Sequence, residues 1–101
     1  MIRRKLAALL CVKPQTMTRI GMYSVTAYSL PGRTASGAAT GPGCLAAPPS
    51  ISFGTELYVE GYGFGVVLDR GGMVGEGCLD IWLPTDEECF RWGRRLVGVW
   101  Q

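Results

Sequence analysis

Short stretches in which apolar and polar residues alternate recur along this chain, and glycine and proline separate them. Alternation with a period of two is typical of β-strands, because successive side chains of a strand point to opposite faces. A loop rich in glycine, proline, serine and threonine occupies residues 31–43. The pattern predicts strands or short apolar steps at residues 21–29, 45–47, 55–59, 64–68, 73–74, 78–83 and 96–100. Together these stretches predict about six short strands.

Residues 84–95 are the one segment with a clear helical signal. Thr85 and Glu88 have the spacing of a capping box, and the two acidic residues between them favour the positive N-terminal end of a helix. Two arginines near the end of the segment suit the negative C-terminal end. A single helix among about six strands does not fit repeated strand–helix–strand units. The fold class predicted is therefore all-β, a closed barrel with one short helix near the C-terminus.

The strand predicted at residues 78–83 separates its side chains into two faces. Leu79, Ile81 and Leu83 share one face, which is predicted to lie in the core. Asp80 and Trp82 share the other face, where an aromatic ring beside an acid is a common arrangement for sugar binding. Two simpler interpretations remain: Asp80 is a solvated strand residue, and Trp82 covers one end of the barrel.

Length and composition limit the architecture to one domain. A chain of 101 residues is only just long enough to bury a core, and its 48% apolar residues argue against disorder. Fifteen glycines and six prolines suit short strands joined by tight turns. The predicted division is an N-terminal tail or degenerate signal segment at residues 1–20 and a barrel domain at residues 21–101.

The charge is unevenly distributed along the chain. Residues 1–19 contain five basic residues and no acidic residue, whereas residues 20–101 contain five basic and eight acidic residues, a net charge of −3. A nucleic-acid-binding protein normally presents a basic face. The globular part is therefore not predicted to bind nucleic acid.

The N-terminal segment has a basic start and a short apolar run at residues 6–12. A secretory signal needs an apolar region of about 7–15 residues and a cleavage site with small residues. The run is at the lower limit and no clear cleavage site follows it, and it is too short for a bilayer, which takes about 20 residues. Two interpretations stay open: a degenerate or truncated signal, or an unstructured tail before an alternative start at Met17.

The residue types that are missing narrow the possible chemistry. The chain has no histidine, which excludes Ser–His–Asp and Cys–His catalysis and zinc bound by histidine. Its four cysteines lack the CxxC spacing of a zinc site and allow three pairings, so idle thiols are the simplest interpretation. Proton transfer is left to Asp, Glu, Tyr or Cys, and paired carboxylates are the usual means of cleaving glycosidic bonds. No metal or cofactor is predicted.

Several short motifs occur in an order and spacing that resemble one known family. They are Val25-Thr26-Ala27-Tyr28, Thr34-Ala35-Ser36-Gly37, Phe53-Gly54-Thr55, Leu57-Tyr58-Val59, Gly61-Tyr62-Gly63, Asp69-Arg70-Gly71-Gly72-Met73-Val74-Gly75, Leu79-Asp80-Ile81-Trp82 and Arg91-Trp92-Gly93-Arg94-Arg95. The set covers about residues 22–100 and resembles the three-aspartate (3D) domain, which also forms the catalytic part of lytic transglycosylase A. The resemblance implies a six-stranded double-psi β-barrel.

The resemblance also implies catalytic roles for two acids. Asp80 corresponds to the general acid and base of the family, and Asp69 to the aspartate beside it in the cleft; a turn-starting role for Asp69 is the simpler alternative. The first of the family's three aspartates has no counterpart, because Ala47 or Pro48 takes its place. If that carboxylate tunes the site, activity is expected to be reduced or lost.

The predicted substrate-binding residues surround these two acids in the family motifs. Aromatic side chains would stack on sugar rings, hydroxyl groups would hydrogen-bond the glycan, and a glycine pair would form the turn after Asp69. Each type also has an ordinary structural role, in strands, in loop caps or at the barrel end. The predicted residues are Tyr28, Thr34, Ser36, Gly71, Gly72 and Trp82.

The leading hypothesis is an enzyme that cleaves the glycan strands of peptidoglycan, as a lytic transglycosylase or, with Asp69 as base, as a hydrolase that uses water. Peptidoglycan would be the partner of a monomer that is secreted to the cell wall or periplasm. A second hypothesis, favoured by the missing aspartate, is a non-catalytic polysaccharide-binding barrel of expansin type. A third is a small structural domain of a phage or of a larger wall protein.

Overall fold

The computed structural model describes residues 16–101, in which six strands and one helix follow one another. The elements are β1 (Arg19–Tyr28), β2 (Cys44–Ala46), β3 (Glu56–Val59), β4 (Gly63–Asp69), β5 (Cys78–Trp82), α1 (Asp86–Trp92) and β6 (Arg95–Trp100). The step predicted at residues 73–74 is not a strand, since Met73 belongs to a turn. No helix in the described part is long and apolar enough to cross a membrane. Of the tail or signal predicted for residues 1–20, residues 1–15, with Cys11, lie outside the described residues, whereas Arg19 and Ile20 already belong to β1.

The six strands close into a barrel in the order β1-β5-β2-β4-β3-β6. Two pairs, β1 with β5 and β2 with β4, are parallel, whereas the other neighbours are antiparallel. Neighbours that are distant in sequence therefore meet in space, and no edge of the barrel is left unpaired. This arrangement confirms the predicted fold class, a six-stranded double-psi β-barrel with one short helix near the C-terminus.

The core consists of side chains that alternate along the strands. Leu79 and Ile81 of β5 are fully buried, and Leu83 packs against the same cluster, as the alternation predicted. Neighbouring strands contribute further buried side chains to this cluster: Val25, Leu45, Leu57, Val59, Val67 and Val99. Because odd-numbered positions of β5 enter the core, Asp80 is placed on the outer face of the barrel wall.

A glycine lets β2 lie close to β4. A Cβ atom at Gly65 would lie 2.7 Å from Cγ of Leu45 and 2.9 Å from the carbonyl oxygen of Gly43. Only hydrogen fits in that space, so Leu45 fills the core directly beside the β4 backbone. In the register Leu45 pairs with Val67 and Ala46 pairs with Asp69 at the end of β4, with a shift of register between the two pairs.

The helix is shorter than the segment that predicted it. Thr85 is the N-cap, and its hydroxyl accepts a hydrogen bond from the backbone N–H of Glu88 at 3.1 Å. Gly93 ends the helix because its φ of 65° is unfavourable for other residues. The buried indole of Trp92 fastens the helix to the barrel by donating to the carbonyl of Val25 at 2.8 Å.

The three cysteines of the described part are free thiols. Cys44 is buried, and Cys78 and Cys89 are half-buried. None of them forms a disulfide within residues 16–101.

Candidate functional site

Four neighbouring strands place four residues side by side across the barrel wall. In the register, Thr26 of β1 pairs with Asp80 of β5, Asp80 pairs with Ala46 of β2, and Ala46 pairs with Asp69 of β4. Asp80 and Asp69 are therefore two strands apart, which corresponds to about 10 Å between their Cα atoms. The residue between them has a methyl side chain, which leaves the space between the two carboxyl groups open.

Three residues of this row, Ala46, Asp69 and Asp80, line an open groove of about 290 Å³. The groove brings together both predicted catalytic acids with one of the predicted aromatic residues and one of the predicted glycines. Its lining includes Tyr28, Ala46, Asp69, Arg70, Gly71 and Asp80. The strand ends and the loops after β1 and β4 thus meet at one place, as expected for a binding cleft.

Asp80 is half-buried at the base of the groove. Burial raises the pKa of its carboxyl group above the ordinary value of 3.8, because the charged form loses water contacts. The negative charge of Asp69 raises this pKa further, whereas a hydrogen bond from the Thr26 hydroxyl to Oδ1, at 3.1 Å, opposes the rise. The protonated form of Asp80 thus persists to a higher pH than that of a carboxyl group in water.

Asp69 holds the loop that follows β1 against the end of β4. Its Oδ1 accepts hydrogen bonds from the backbone N–H groups of Ala35, at 2.8 Å, and Arg70, at 2.9 Å. Both bonds use the same oxygen, and Oδ2 accepts no hydrogen bond from another residue of the described part. Asp69 combines the turn role and the cleft position that the sequence had offered as alternatives.

Tyr28 and Cys44 form a polar contact beside the two acids. The phenol oxygen lies 3.2 Å from the Cys44 sulfur, and either atom can donate. Burial raises the pKa of Tyr28 far above its usual range, and the Cys44 contact and the charges of Asp69 and Asp80 act in the same direction. Burial likewise raises the pKa of the Cys44 thiol. Both groups are therefore neutral hydrogen-bonding groups at physiological pH.

Thr34 and Ser36 lie in the loop that Asp69 anchors. Thr34 is buried, and its hydroxyl donates to the carbonyl of Ala38 at 2.9 Å and lies 3.0 Å from the Ser36 hydroxyl. The backbone N–H of Ser36 donates to the carbonyl of Leu68, next to the groove. Thr34 is thus buried inside the loop, whereas Ser36 is exposed, and the contacts with glycan predicted for both residues remain predictions.

The predicted glycine pair and Trp82 occupy different parts of the rim. Gly71 lines the groove, whereas Gly72 lies in the adjoining exposed turn. Trp82 is paired with Tyr28 in the register, and its indole N–H donates to the carbonyl of Leu30 at 3.3 Å. This bond turns the indole toward the loop after β1. Sugar stacking on Trp82 remains a prediction.

Arg70 is a structural residue of the groove that the sequence did not reveal. Its guanidinium group donates to the carbonyl of Ile51 at 2.8 Å and lies 4.1 Å above the ring of Phe53. A longer bond of 3.4 Å reaches the carbonyl of Ala47. Because the partners of Arg70 lie about twenty residues away in the sequence, no local pattern predicts these contacts.

The position at which the resemblance places the family's first aspartate is apolar in this structure. Ala47 and Pro48, the two positions that could replace it, are both fully buried, and Ala47 belongs to the core cluster. The acids of the groove lining are Asp69 and Asp80. Within residues 16–101 no group of three or more Cys, Asp and Glu side chains is close enough to hold a metal ion.

Comparison with known proteins places the chain among wall-associated sequences. Two Bacillus subtilis (strain 168) proteins match over 52 residues, or 52% of this chain: "Putative cell wall shaping protein YabE", 31% identical, and "Cell wall-binding protein YocH", 35% identical. The matched part is 13% of YabE and 18% of YocH, so the chain spans less than a fifth of these relatives.

The family comparison covers a longer part of the chain. Residues 43–101 match the model of the 3D domain. The match contains Asp69, Asp80 and five of the six strands, and it begins after Tyr28, Thr34 and Ser36. More than half of the chain lies within the match and folds as the resemblance predicted, and this protein therefore belongs to the 3D domain family.

Proposed function

We propose that this chain cleaves the glycan strands of bacterial peptidoglycan as a lytic transglycosylase, with Asp80 as its general acid and base. The observation that supports this most directly is the half-buried carboxyl group of Asp80, whose pKa is raised, at the base of an open groove. A carboxyl group that stays protonated can donate a proton to the leaving oxygen of a glycosidic bond. Peptidoglycan lies outside the cytoplasmic membrane, so an extracytoplasmic location is part of the proposal.

The names of the two relatives agree with the proposed target. One is named for cell wall shaping and the other for cell wall binding. Neither name includes a catalytic activity, so the enzymatic part of the proposal rests on the groove of this chain.

The proposed reaction needs one residue in two protonation states. Asp80 in its protonated form donates a proton to the bridging oxygen, and the bond between that oxygen and the sugar C1 breaks. The electron pair of the broken bond stays with the leaving oxygen, and the sugar develops positive charge at C1. The sugar's own 6-hydroxyl oxygen then bonds to C1, and its proton passes to the Asp80 carboxylate. The product is an anhydro ring, and Asp80 is protonated again.

Asp69 is proposed to support this cycle rather than to react. Its negative charge helps keep Asp80 protonated, and its Oδ1 fixes the loop that borders the groove. The remaining oxygen is available to a sugar hydroxyl. A hydrolase that uses Asp69 to activate water is the nearest alternative, since inverting glycosidases separate their carboxyl groups by about 6.5–9.5 Å.

A second candidate function is binding of the cell wall without cleavage. The observation that favours it is the buried, apolar position of Ala47 and Pro48, where the family has its first aspartate. YocH is named as a cell wall-binding protein. A groove that holds glycan but lacks a carboxylate needed for turnover would bind the cell wall without cleaving it.

Digestion of purified peptidoglycan, with the products analysed by mass spectrometry, tests the proposal. We expect muropeptides with anhydro ends, which are lighter by one water than hydrolysis products. Reducing ends instead would show that water is the nucleophile and would make Asp69 the base. A folded protein that releases nothing but sediments with insoluble wall would establish the binding function in place of catalysis.

The hydroxyl group of Thr26 is expected to tune Asp80. Its hydrogen bond stabilises the charged form of the carboxyl group, so Thr26→Val should raise the pKa of Asp80 further. The pH above which the acid-dependent cleavage declines should then move upward. An NMR titration of the Asp80 carboxyl carbon measures the pKa directly. Thr40→Val is the matched control, because Thr40 lines the same groove without bonding to Asp80; an equal shift in both variants would contradict a specific role of Thr26.

A further inference from the structure

The groove contains two arginines whose hydrogen bonding differs. Arg70 is engaged by backbone carbonyl groups and by the ring of Phe53. Arg33 also lines the groove, but it is exposed and makes one hydrogen bond in the described part, from Nη1 to the carbonyl of Gly37 at 2.9 Å. A guanidinium group has five N–H donors, so four donors of Arg33 are available to a ligand.

The loop that contains Arg33 is firmly attached beside the two acids. Arg33 forms an isolated β-bridge with Ala39, and the next residue, Thr34, is buried. The backbone N–H of Ala35 donates to Asp69. The backbone at Arg33 is therefore fixed relative to the groove, and a charge at this position acts close to the proposed reaction centre.

No acid of the protein neutralises this arginine within residues 16–101. The carboxylates of the groove are bonded elsewhere, Asp80 to the Thr26 hydroxyl and Asp69 to two backbone N–H groups. Glu87 pairs with Arg91 on the helix, away from the groove. A planar guanidinium with free donors is suited to a carboxylate, which it can bind through two parallel hydrogen bonds.

We propose that Arg33 binds a carboxylate of the substrate, so that the groove prefers glycan strands with acidic substituents to neutral strands. This inference rests on the proposed function, since it concerns the same groove. In peptidoglycan every second sugar bears a lactyl group, whose carboxylate is free in strands without peptides. Where stem peptides are attached, that carboxylate forms an amide, and the remaining carboxylates belong to the peptides. The shared chemistry is a carboxylate beside the scissile bond.

Binding to three soluble hexasaccharides distinguishes these sources. The probes are a neutral chitooligosaccharide, a peptide-free peptidoglycan strand with free lactyl groups, and the same strand with stem peptides. Asp80→Asn serves as the background for every measurement, so that no probe is cleaved. We expect the best acidic probe to bind about fivefold more tightly than the neutral probe, the upper end of what an exposed ion pair contributes. This difference should shrink as the salt concentration rises.

Arg33→Gln should lower the affinity for the acidic probes to the level of the neutral probe, and Arg33→Lys should retain part of the preference. Arg94→Gln is the matched control, because it removes the same charge outside the groove. Arg94 is also exposed and makes a single hydrogen bond within residues 16–101, to the Ser24 hydroxyl. Equal affinity for acidic and neutral probes, or an equal loss in the Arg94 variant, would overturn the role of Arg33. A folded protein that binds none of the probes would instead contradict the proposed function itself.

Discussion

Replacing Asp80 by Asn is expected to lower the release of anhydro-ended muropeptides from purified peptidoglycan by roughly 10²–10⁴-fold. The amide keeps the shape of the side chain but cannot donate a proton to the bridging oxygen or accept one from the 6-hydroxyl. The groove and its loops should be unchanged, because the Asp80 side chain makes one hydrogen bond with the part of the chain that the structure describes, from Thr26, and an amide oxygen can accept it as well. Initial rates of product release, followed by mass spectrometry, measure the effect.

Asp86→Asn is the matched control for this loss. Asp86 begins the helix, is exposed and does not line the groove. The same chemical change at that position should leave the rate within a few-fold of the wild-type rate. Equal rates for the wild type and the Asp80 variant would remove Asp80 from the mechanism and direct attention to Asp69.

The stability of the Asp80 variant separates lost chemistry from lost folding. The pKa of Asp80 is raised in the folded protein, so the native state binds a proton more tightly than the unfolded chain. The bound proton therefore contributes fully to the stability of the folded protein below the pKa that Asp80 has in the unfolded chain. This contribution is lost as the pH rises through the pKa that Asp80 has in the folded protein. Above the pKa of Asp80 in the folded protein, removing this charge should therefore raise the melting temperature, with no gain at strongly acidic pH. An inactive variant with a lower melting temperature would not count as evidence for catalysis.

Gly65→Ala is expected to destabilise the barrel by about 1–3 kcal/mol, the usual cost of overpacking a core. The added methyl group would overlap the side chain of Leu45 and the backbone carbonyl of Gly43, and a backbone atom cannot rotate away. For a domain of this size, each kcal/mol lowers the melting temperature by roughly 4–8 °C. Thermal unfolding followed by circular dichroism measures the change.

Gly75→Ala provides the comparison for this effect. A Cβ atom at Gly75 would meet nothing within 4 Å, and the residue lies in an exposed segment between β4 and β5. Its melting temperature should stay near that of the wild type. A similar decrease in both variants would mean that the loss of glycine flexibility, rather than the contact with Leu45, limits the stability.

Local patterns in the sequence were sufficient to predict the six strands, the helix and the core-facing side of β5. The alternation at Leu79, Ile81 and Leu83 placed the core side of β5, because strand geometry assigns successive side chains to opposite faces. The N-cap at Thr85 was equally local, since a capping bond spans three residues. The order of the short motifs predicted the family and the double-psi form of the barrel, and the family motifs in turn indicated Asp69 and Asp80 as candidate site residues.

Some side chains have roles that depend on distant partners. The hydroxyl of Tyr62 accepts a hydrogen bond from the backbone N–H of Gly43 and donates to the carbonyl of Trp82, so it joins the turn before β2 to the end of β5. The Thr34 hydroxyl, predicted to bind glycan, donates to the carbonyl of Ala38 and lies beside the Ser36 hydroxyl, and its contact with glycan remains a prediction. Polar groups form hydrogen bonds with whichever partners the fold brings close, and the sequence alone does not identify those partners.

The sequence by itself determined the strands, the capped helix, the inward faces and the identity of the two acids. Only the tertiary structure decided that Asp80 and Asp69 lie on either side of Ala46, that Arg70 is engaged by backbone carbonyl groups, and that Arg33 keeps free donors at the groove. The physical reason is that strand alternation and capping act within a few residues. Register, burial and hydrogen-bond partners, by contrast, are set when strands distant in sequence close into one barrel.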